Sequence, residues 1–145
     1  MPSPMLRSAS SNAAVSSTCK SHGLTQREFR QLRDSAVAAK DTAYCPYSKF
    51  RVGAALLGPK NRDGDEDEEE DEQENGEEDE EDKIVTGANV ENASYPVGTC
   101  AERVALGNAV TRPGWRRHAR GGFRALAVAT DVSPPASPCG MCRQL

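Results

Sequence analysis

Outside one stretch, this sequence has almost no acid. Of its 22 Asp and Glu residues, 16 lie between Asp63 and Asp82, which leaves six against 18 Lys and Arg in the rest of the chain. The formal net charge of −4 therefore hides a body of net +12. Such a body could attract polyanions, but the tethered acidic run competes with them as an internal decoy, so nucleic-acid binding is not expected. The sequence also lacks any apolar run long enough to span a bilayer, and a membrane role has no support. It has no secretory h-region, and its five cysteines are an odd number. Both facts argue against a disulfide framework and for a reducing compartment, the cytosol, where thiolates can hold metal. Histidine is scarce: His22 and His118 both sit in apparent loops and read as ordinary surface residues.

At 145 residues the chain has room for one domain, and less than its full length can build a core. Residues 1–23, rich in Ser and Ala without periodicity, read as a disordered tail. Residues 24–145 read as the domain, with 58–83, which holds the acidic run, as a disordered insertion. Leu24-Thr25-Gln26-Arg27-Glu28-Phe29 has the form of a helix start, with Thr25 as N-cap, Glu28 reaching back to it and Leu24 set to pack on Phe29. Phe29, Leu32, Ala36 and Ala39 then give one apolar stripe, while Arg27, Arg30 and Arg33 face outward. Pro46 breaks that helix, and the strand-like Phe50–Leu57 pairs with a second strand from Ile84 to about Val90 as an antiparallel hairpin. The insertion falls in the hairpin loop. Lengthening a flexible loop from about four to about 25 residues costs only roughly 1.6 kcal/mol, so the fold tolerates it there.

From Cys100 to about Val110 the apolar positions Val104, Ala105, Ala109 and Val110 predict a buried helix, in which Gly107 offers close approach to a neighbour. Arg112-Pro113-Gly114 stops it, and after the basic loop Trp115–Gly122 the run Phe123–Ala129 predicts another strand. Strand, helix, strand implies a crossover and an α/β architecture. Beyond a Pro-rich loop, Ser137-Pro138 reads as an N-cap with proline at the first helical position, so a second helix is expected to start at Cys139 and Cys142.

Cys100 and Glu102 thus share the first turn of one helix, and Cys139 and Cys142 the first turn of another. The unsatisfied N–H groups and positive dipole ends of two helix starts favour thiolate over thiol. Arg103 stands next to this set and could hydrogen-bond to sulfur. Blander readings remain open. Thr99-Cys100-Ala101-Glu102 is equally a capping box. Cys139-Gly140-Met141-Cys142 beside a strand-helix-strand pattern could be a thioredoxin-like redox pair. A structural zinc site needs a fourth ligand, for which Cys45, Cys19, His118 and His22 are available.

Four stretches, taken together and in order, carry a resemblance. Tyr44-Cys45-Pro46-Tyr47-Ser48-Lys49-Phe50-Arg51-Val52-Gly53, Gly87-Ala88-Asn89-Val90-Glu91-Asn92-Ala93-Ser94-Tyr95, Thr99-Cys100-Ala101-Glu102-Arg103 and Ser137-Pro138-Cys139-Gly140-Met141-Cys142-Arg143-Gln144 resemble the homotetrameric, three-cysteine cytidine deaminases of pyrimidine salvage. The resemblance runs from about Leu24 to Leu145, interrupted by the acidic insertion. It implies a three-layer αβα fold around a mixed sheet, and a Zn²⁺ held by Cys100, Cys139 and Cys142. It further implies hydrolytic deamination of cytidine and deoxycytidine at C4, with Glu102 taking the water proton, delivering it to N3 and then helping to protonate the departing amine. By the same resemblance Asn89 and Glu91 hold the ribose 3′-hydroxyl and Phe50 packs on the base. The Ala101 N–H and Ser137 C=O read the pyrimidine edge, Tyr95 reaches a neighbouring subunit's site, and the assembly is a homo-oligomer. Family members continue past the second cysteine motif, so the chain reads as C-terminally truncated, with its Phe123 strand an exposed apolar edge. The other classes that fit the same residues are a non-catalytic zinc-binding fragment and a blasticidin-type deaminase, which lacks the Asn-x-Glu pair.

Overall fold

A computed structural model describes residues 11–59, 84–112, 122–134 and 136–145. The acidic run, the first ten residues and most of the basic loop at 115–122 lie outside the described residues. Six regular elements follow in order: helix α1 (Asn12–His22), helix α2 (Gln26–Lys40), strands β1 (Val52–Leu57) and β2 (Ile84–Ala88), helix α3 (Ala101–Thr111) and strand β3 (Ala125–Thr130). No described helix is long and apolar enough to cross a membrane.

Part of the expected tail is helical. In α1 the Ser11 hydroxyl accepts the Ala14 N–H at 3.3 Å, and Gly23 ends the helix at φ +63°, a left-handed turn that glycine adopts without strain. Cys19 is the one buried residue of α1, and Gln26 donates to the Ser16 hydroxyl at 2.9 Å, which ties α1 to the start of α2. Two local caps and these few tertiary contacts order a segment whose composition alone reads as unstructured.

α2 begins as its sequence predicts. The Glu28 N–H donates to Thr25 Oγ1 at 3.1 Å, and the Thr25 N–H donates to Glu28 Oε2 at 2.7 Å, closing the capping box. Its buried face is Leu32, Ala36 and Ala39, while Arg27, Arg30 and Arg33 are exposed. Glu28 also pairs with the Arg124 guanidinium, which donates to the Gly23 carbonyl as well. One carboxylate thus caps α2 and holds the entrance to β3.

The sheet has the order β2-β1-β3, antiparallel at both ladders. The hairpin register sets Gly53 opposite Ala88 and Leu57 opposite Ile84, and β3 sets Thr130 opposite Val52 and Ala125 opposite Leu57. The expected mixed sheet is therefore antiparallel over the described residues. Because β2 and β3 both oppose β1, they run in the same direction on either side of it, and α3 is the crossover between them.

Strand alternation assigns the two faces. Ala54, Leu56 and Val85 pack with Ala101, Ala105 and Ala109 of α3, while Ala55 and Leu57 pack with Leu32 and Ala36 of α2. The result is the expected three-layer α/β arrangement. Both helices come unusually close to the strands. A Cβ on Gly53 would lie 2.1 Å from the Ala36 carbonyl oxygen, and one on Gly87 would lie 2.4 Å from the Ala105 nitrogen. Gly107, expected to permit such an approach, has open space around it. The approach is made instead by Gly87 beneath the alanine face of α3. Val110 is 42% exposed, so the helix buries its small residues and not its valines.

Two ends differ from expectation in instructive ways. α3 stops at Thr111, and Arg112 takes the extended φ −66°, ψ 131° that a following proline favours. At the second cysteine stretch there is no α-helix, only a turn at Gly140–Met141 and a 3₁₀ turn over Cys142–Gln144. The Ser137 hydroxyl and the Pro138 carbonyl are both taken by the Arg143 guanidinium, at 3.3 and 2.9 Å. Ser137 therefore binds a side chain where a helix start would have it accept a backbone N–H.

Candidate metal centre

Everything of chemical interest gathers at the end of the sheet where β1 starts and β2 and β3 finish. After β2, Val90 bridges to Tyr44 on one side and Thr99 on the other, which returns the chain to the sheet and delivers Cys100 as the N-cap of α3. Cys100 makes no side-chain capping bond. The capping-box reading of Thr99–Glu102 fails here, because the Thr99 N–H is given to the Val90 carbonyl at 2.8 Å. Glu102 lies in the first turn of α3, only 5% exposed, and is the one buried charged residue among the described residues.

The three cysteines meet. Cys100 Sγ lies 3.8 Å from Cys139 Sγ, which lies 3.4 Å from Cys142 Sγ, and all three sulfurs fall within 4.8 Å of one another. Four ligands about 2.3 Å from a Zn²⁺ stand about 3.8 Å apart at the corners of a tetrahedron, a spacing close to the 3.8 and 3.4 Å found here. Of the proposed fourth ligands, Cys19, Cys45 and His22 are not in the cluster, and His118 lies outside the described residues. All five cysteines are free. A redox pair at Cys139 and Cys142 does not account for the third sulfur beside them, nor do the two cysteines head a long helix.

The local electrostatics separate Cys139 from Cys142. Cys139 is lowered to about 7, first by the Cys142 backbone N–H and then by the Cys142 thiol. Cys142 is raised to about 12, first by its burial and then by its bond to Cys139. Of this pair Cys139 is the thiol that gives up its proton first. Arg103 leans on the cluster from α3. A hydrogen bond to Cys100 raises it above the ordinary guanidinium value, and its Nη2 donates to the Gly98 carbonyl at 3.0 Å. Its Nε is buried without a partner, an orphaned donor beside a group of sulfurs.

Asn89 and Glu91 do share a side, since both reach the segment from Tyr47 to Val52. The Asn89 amide is engaged at both ends: Oδ1 accepts the Val52 N–H at 2.8 Å and Nδ2 donates to the Phe50 carbonyl at 2.9 Å. Glu91 accepts the Tyr47 and Ser48 N–H groups at 2.9 and 3.2 Å and the Ser48 hydroxyl. The Ser48 hydroxyl bond leads the causes that hold Glu91 below the usual carboxylate range. Lys49 turns the chain at φ 58°, a left-handed conformation rare for a side chain of its size, and Phe50 follows it half-buried. Ala101 is fully buried as the first residue of α3, so its N–H has no acceptor within the helix. Ser137 is exposed two residues before Cys139, and Tyr95 is 90% exposed in a 3₁₀ turn over Tyr95–Val97.

Two residues at this end were not singled out by the sequence. Ser48 joins Glu91 to the Phe50 N–H, which it accepts at 3.0 Å. Asp131, just past β3, receives the Lys40 ammonium at 2.9 Å and three bonds from Arg51 at 3.1 Å. No periodicity marks either, because their partners come from other elements.

Residues 77–145 match the family model described as the cytidine and deoxycytidylate deaminase zinc-binding region. A cytidine deaminase of Halalkalibacterium halodurans is 38% identical over 116 residues, covering 80% of this chain and 67% of the relative. One from Sporosarcina psychrophila is 42% identical over 107 residues, covering 74% of this chain and 59% of the relative. The chain thus spans about two thirds or less of the length of these curated relatives. Among solved structures, cytidine deaminase from Burkholderia pseudomallei aligns at a TM-score of 0.54 with 39% identity, over 79% of this chain and 71% of that one. The Mycobacterium tuberculosis cytidine deaminase aligns at 0.57 with 33% identity, over 81% and 73%.

Proposed function

The chain belongs to the cytidine deaminase family, and on that premise we propose that it hydrolyses cytidine and deoxycytidine to uridine and deoxyuridine with release of ammonia, as a step of pyrimidine salvage. The observation that carries this reading is the convergence of three sulfurs within 4.8 Å beside a buried carboxylate at the start of α3. Cys100, Cys139 and Cys142 would hold a Zn²⁺, which when bound acts as a Lewis acid and makes water nucleophilic at neutral pH. Three thiolates leave that ion with a net charge of −1, and the Arg103 guanidinium beside Cys100 offsets part of it.

Glu102 is the proton carrier. Its carboxylate takes one proton from water and delivers it to N3 of the ring, then takes the proton of the new C4 hydroxyl and gives it to the departing amine as the C4–N bond breaks, which asks for one group able to act as base and then as acid. Its burial keeps bulk water from short-circuiting those transfers. Phe50 packs on the base, while the Ala101 N–H and Ser137 C=O read the polar edge of the pyrimidine. Asn89 retains one amide hydrogen beyond its bond to Phe50, and Glu91 has acceptor capacity beyond the Tyr47–Ser48 turn, so together they can still grip a ribose hydroxyl.

Assembly belongs to the same proposal. Tyr44, Tyr47, Val90, Tyr95 and Val97, all at least 46% exposed, surround the Val90 bridges beside the sulfur cluster. Such a surface suits a second copy of the chain, with Tyr95 reaching the neighbour's nucleoside in a homotetramer. Three thiols kept free in one site suit a reducing compartment such as the cytosol. The test is loss of cytidine absorbance on incubation with the protein. Turnover that a chelator abolishes and added zinc restores is expected. No turnover at full zinc loading contradicts the reading, and preference for blasticidin S over cytidine contradicts its choice of substrate.

A further inference from the structure

We propose that Asp131 is a positioning residue for nucleoside binding, which through Arg51 fixes the Phe50–Val52 segment that Asn89 and the base rest on. The claim deepens the nucleoside reading above and rests on it. Arg51 is the residue between the two that Asn89 engages, the Phe50 carbonyl and the Val52 N–H. On the β2 side, then, the segment is held by Asn89. On the β3 side Val52 lies opposite Thr130, and Arg51 is held by Asp131: Oδ2 accepts both the Arg51 backbone N–H and its Nε at 3.1 Å, and Oδ1 accepts Nη2 at 3.1 Å.

An ordinary surface ion pair would engage only the guanidinium. Here the carboxylate also takes the backbone N–H, so it fixes the main chain and not just a side chain. The register places Val52 opposite Thr130, which makes Asp131 the residue that faces Arg51 one step beyond the ladder. From Asp131 the chain leads on through Ser137 to Cys139 and Cys142, so one carboxylate joins the nucleoside-binding segment to the arm that carries two metal thiols. Lys40 at the end of α2 donates to the same oxygen, Oδ1, at 2.9 Å and to the Thr130 carbonyl at 3.4 Å. It anchors the carboxylate to the layer beneath. Asp41, paired with Arg51 Nη1 at 3.0 Å, is 71% exposed and adds an outer contact.

Substitution separates this role from a merely structural one. Steady-state cytidine kinetics, calorimetric titration with uridine, zinc content and thermal denaturation are measured for the whole chain and three variants. Asp131→Asn is expected to raise KM and weaken uridine about tenfold while kcat stays within about threefold and zinc content is unchanged. Arg51→Gln keeps the backbone bond and loses the guanidinium bonds, so the same split is expected at about threefold. Arg124→Gln breaks the pair with Glu28 at the opposite end of β3 and leaves every Arg51 and Asp131 bond in place, so it should lower the melting temperature without moving KM. A folded Asp131→Asn with KM and uridine affinity within about twofold of the unsubstituted chain overturns the proposal. So does Arg124→Gln raising KM as far as Asp131→Asn does. Should Asp131→Asn fail to fold, an unchanged KM in Arg51→Gln overturns it instead. Absence of cytidine turnover by the unsubstituted chain contradicts the functional reading, while uridine titration still reports the role of Asp131.

Discussion

Glu28 shows how much a single side chain can carry away from the site. Its carboxylate caps α2 and pairs with Arg124. Its burial, the largest influence, opposes the charge, but the bonds from Arg124 and Thr25 together outweigh it and bring the group down from 4.5 to about 2. A depressed carboxylate stabilises the fold fully above its unfolded value and loses that contribution as pH falls through the folded one. Urea unfolding should therefore weaken between about pH 4.5 and 2 by roughly 2 kcal/mol from this group, a figure already reduced for partial exposure. In Glu28→Gln that part of the acid dependence should vanish, at a cost near neutral pH of about 1–3 kcal/mol. An unaltered acid profile in the variant would remove Glu28 from this role. The capping box behind it was legible in the sequence because Thr25 and Glu28 are three residues apart. Its pairing with Arg124, nearly the whole domain away, was not.

At the scale of elements, the two glycine contacts decide how close the layers sit. Gly53→Ala drives a Cβ into the backbone of α2, and Gly87→Ala into that of α3, where no side chain can swing aside. Each should destabilise the fold by about 3 kcal/mol or more in urea unfolding. Gly107→Ala meets nothing within 4 Å and should stabilise α3 by roughly 0.5–1 kcal/mol. The opposite ranking would mean that α3 does not lie on β2 as described. The sequence pointed to Gly107 because a glycine within a helical pattern suggests close packing, yet closeness is a property of the partner surface as well. Elements governed by local chemistry were readable: α2 from its caps and stripe, the hairpin and β3 from apolar runs bounded by turn residues. α1 was missed since one buried residue, Cys19, leaves no stripe to read, and the expected second helix failed because Arg143 folds back onto Ser137 and Pro138.

Taken as a whole, the molecule separates its chemistry from its insertion. β1 begins beside Arg51 and Asn89 and ends at Leu57, opposite Ile84, so the two points from which residues 58–83 depart lie at the far end of the sheet from the sulfurs. Replacing residues 60–83 by a short turn should leave cytidine turnover within about twofold and stabilise the domain by roughly 1.6 kcal/mol, the closure cost removed. A large loss of turnover would tie the acidic run to the site. The candidate site itself was legible as residue types in order, the three cysteines and Glu102, because metal ligands must be of a few kinds. What could not be read was the geometry that makes them one site, since it depends on a crossover that brings the start of α3 beside the arm after β3.

The central claim is that Glu102 moves protons in a site whose metal is held by Cys100, Cys139 and Cys142. Zinc content and cytidine turnover measured together on Glu102→Gln test it most directly. The account predicts undiminished zinc with turnover reduced on the order of 10³-fold or more. Undiminished turnover by a variant that retains its zinc would contradict it.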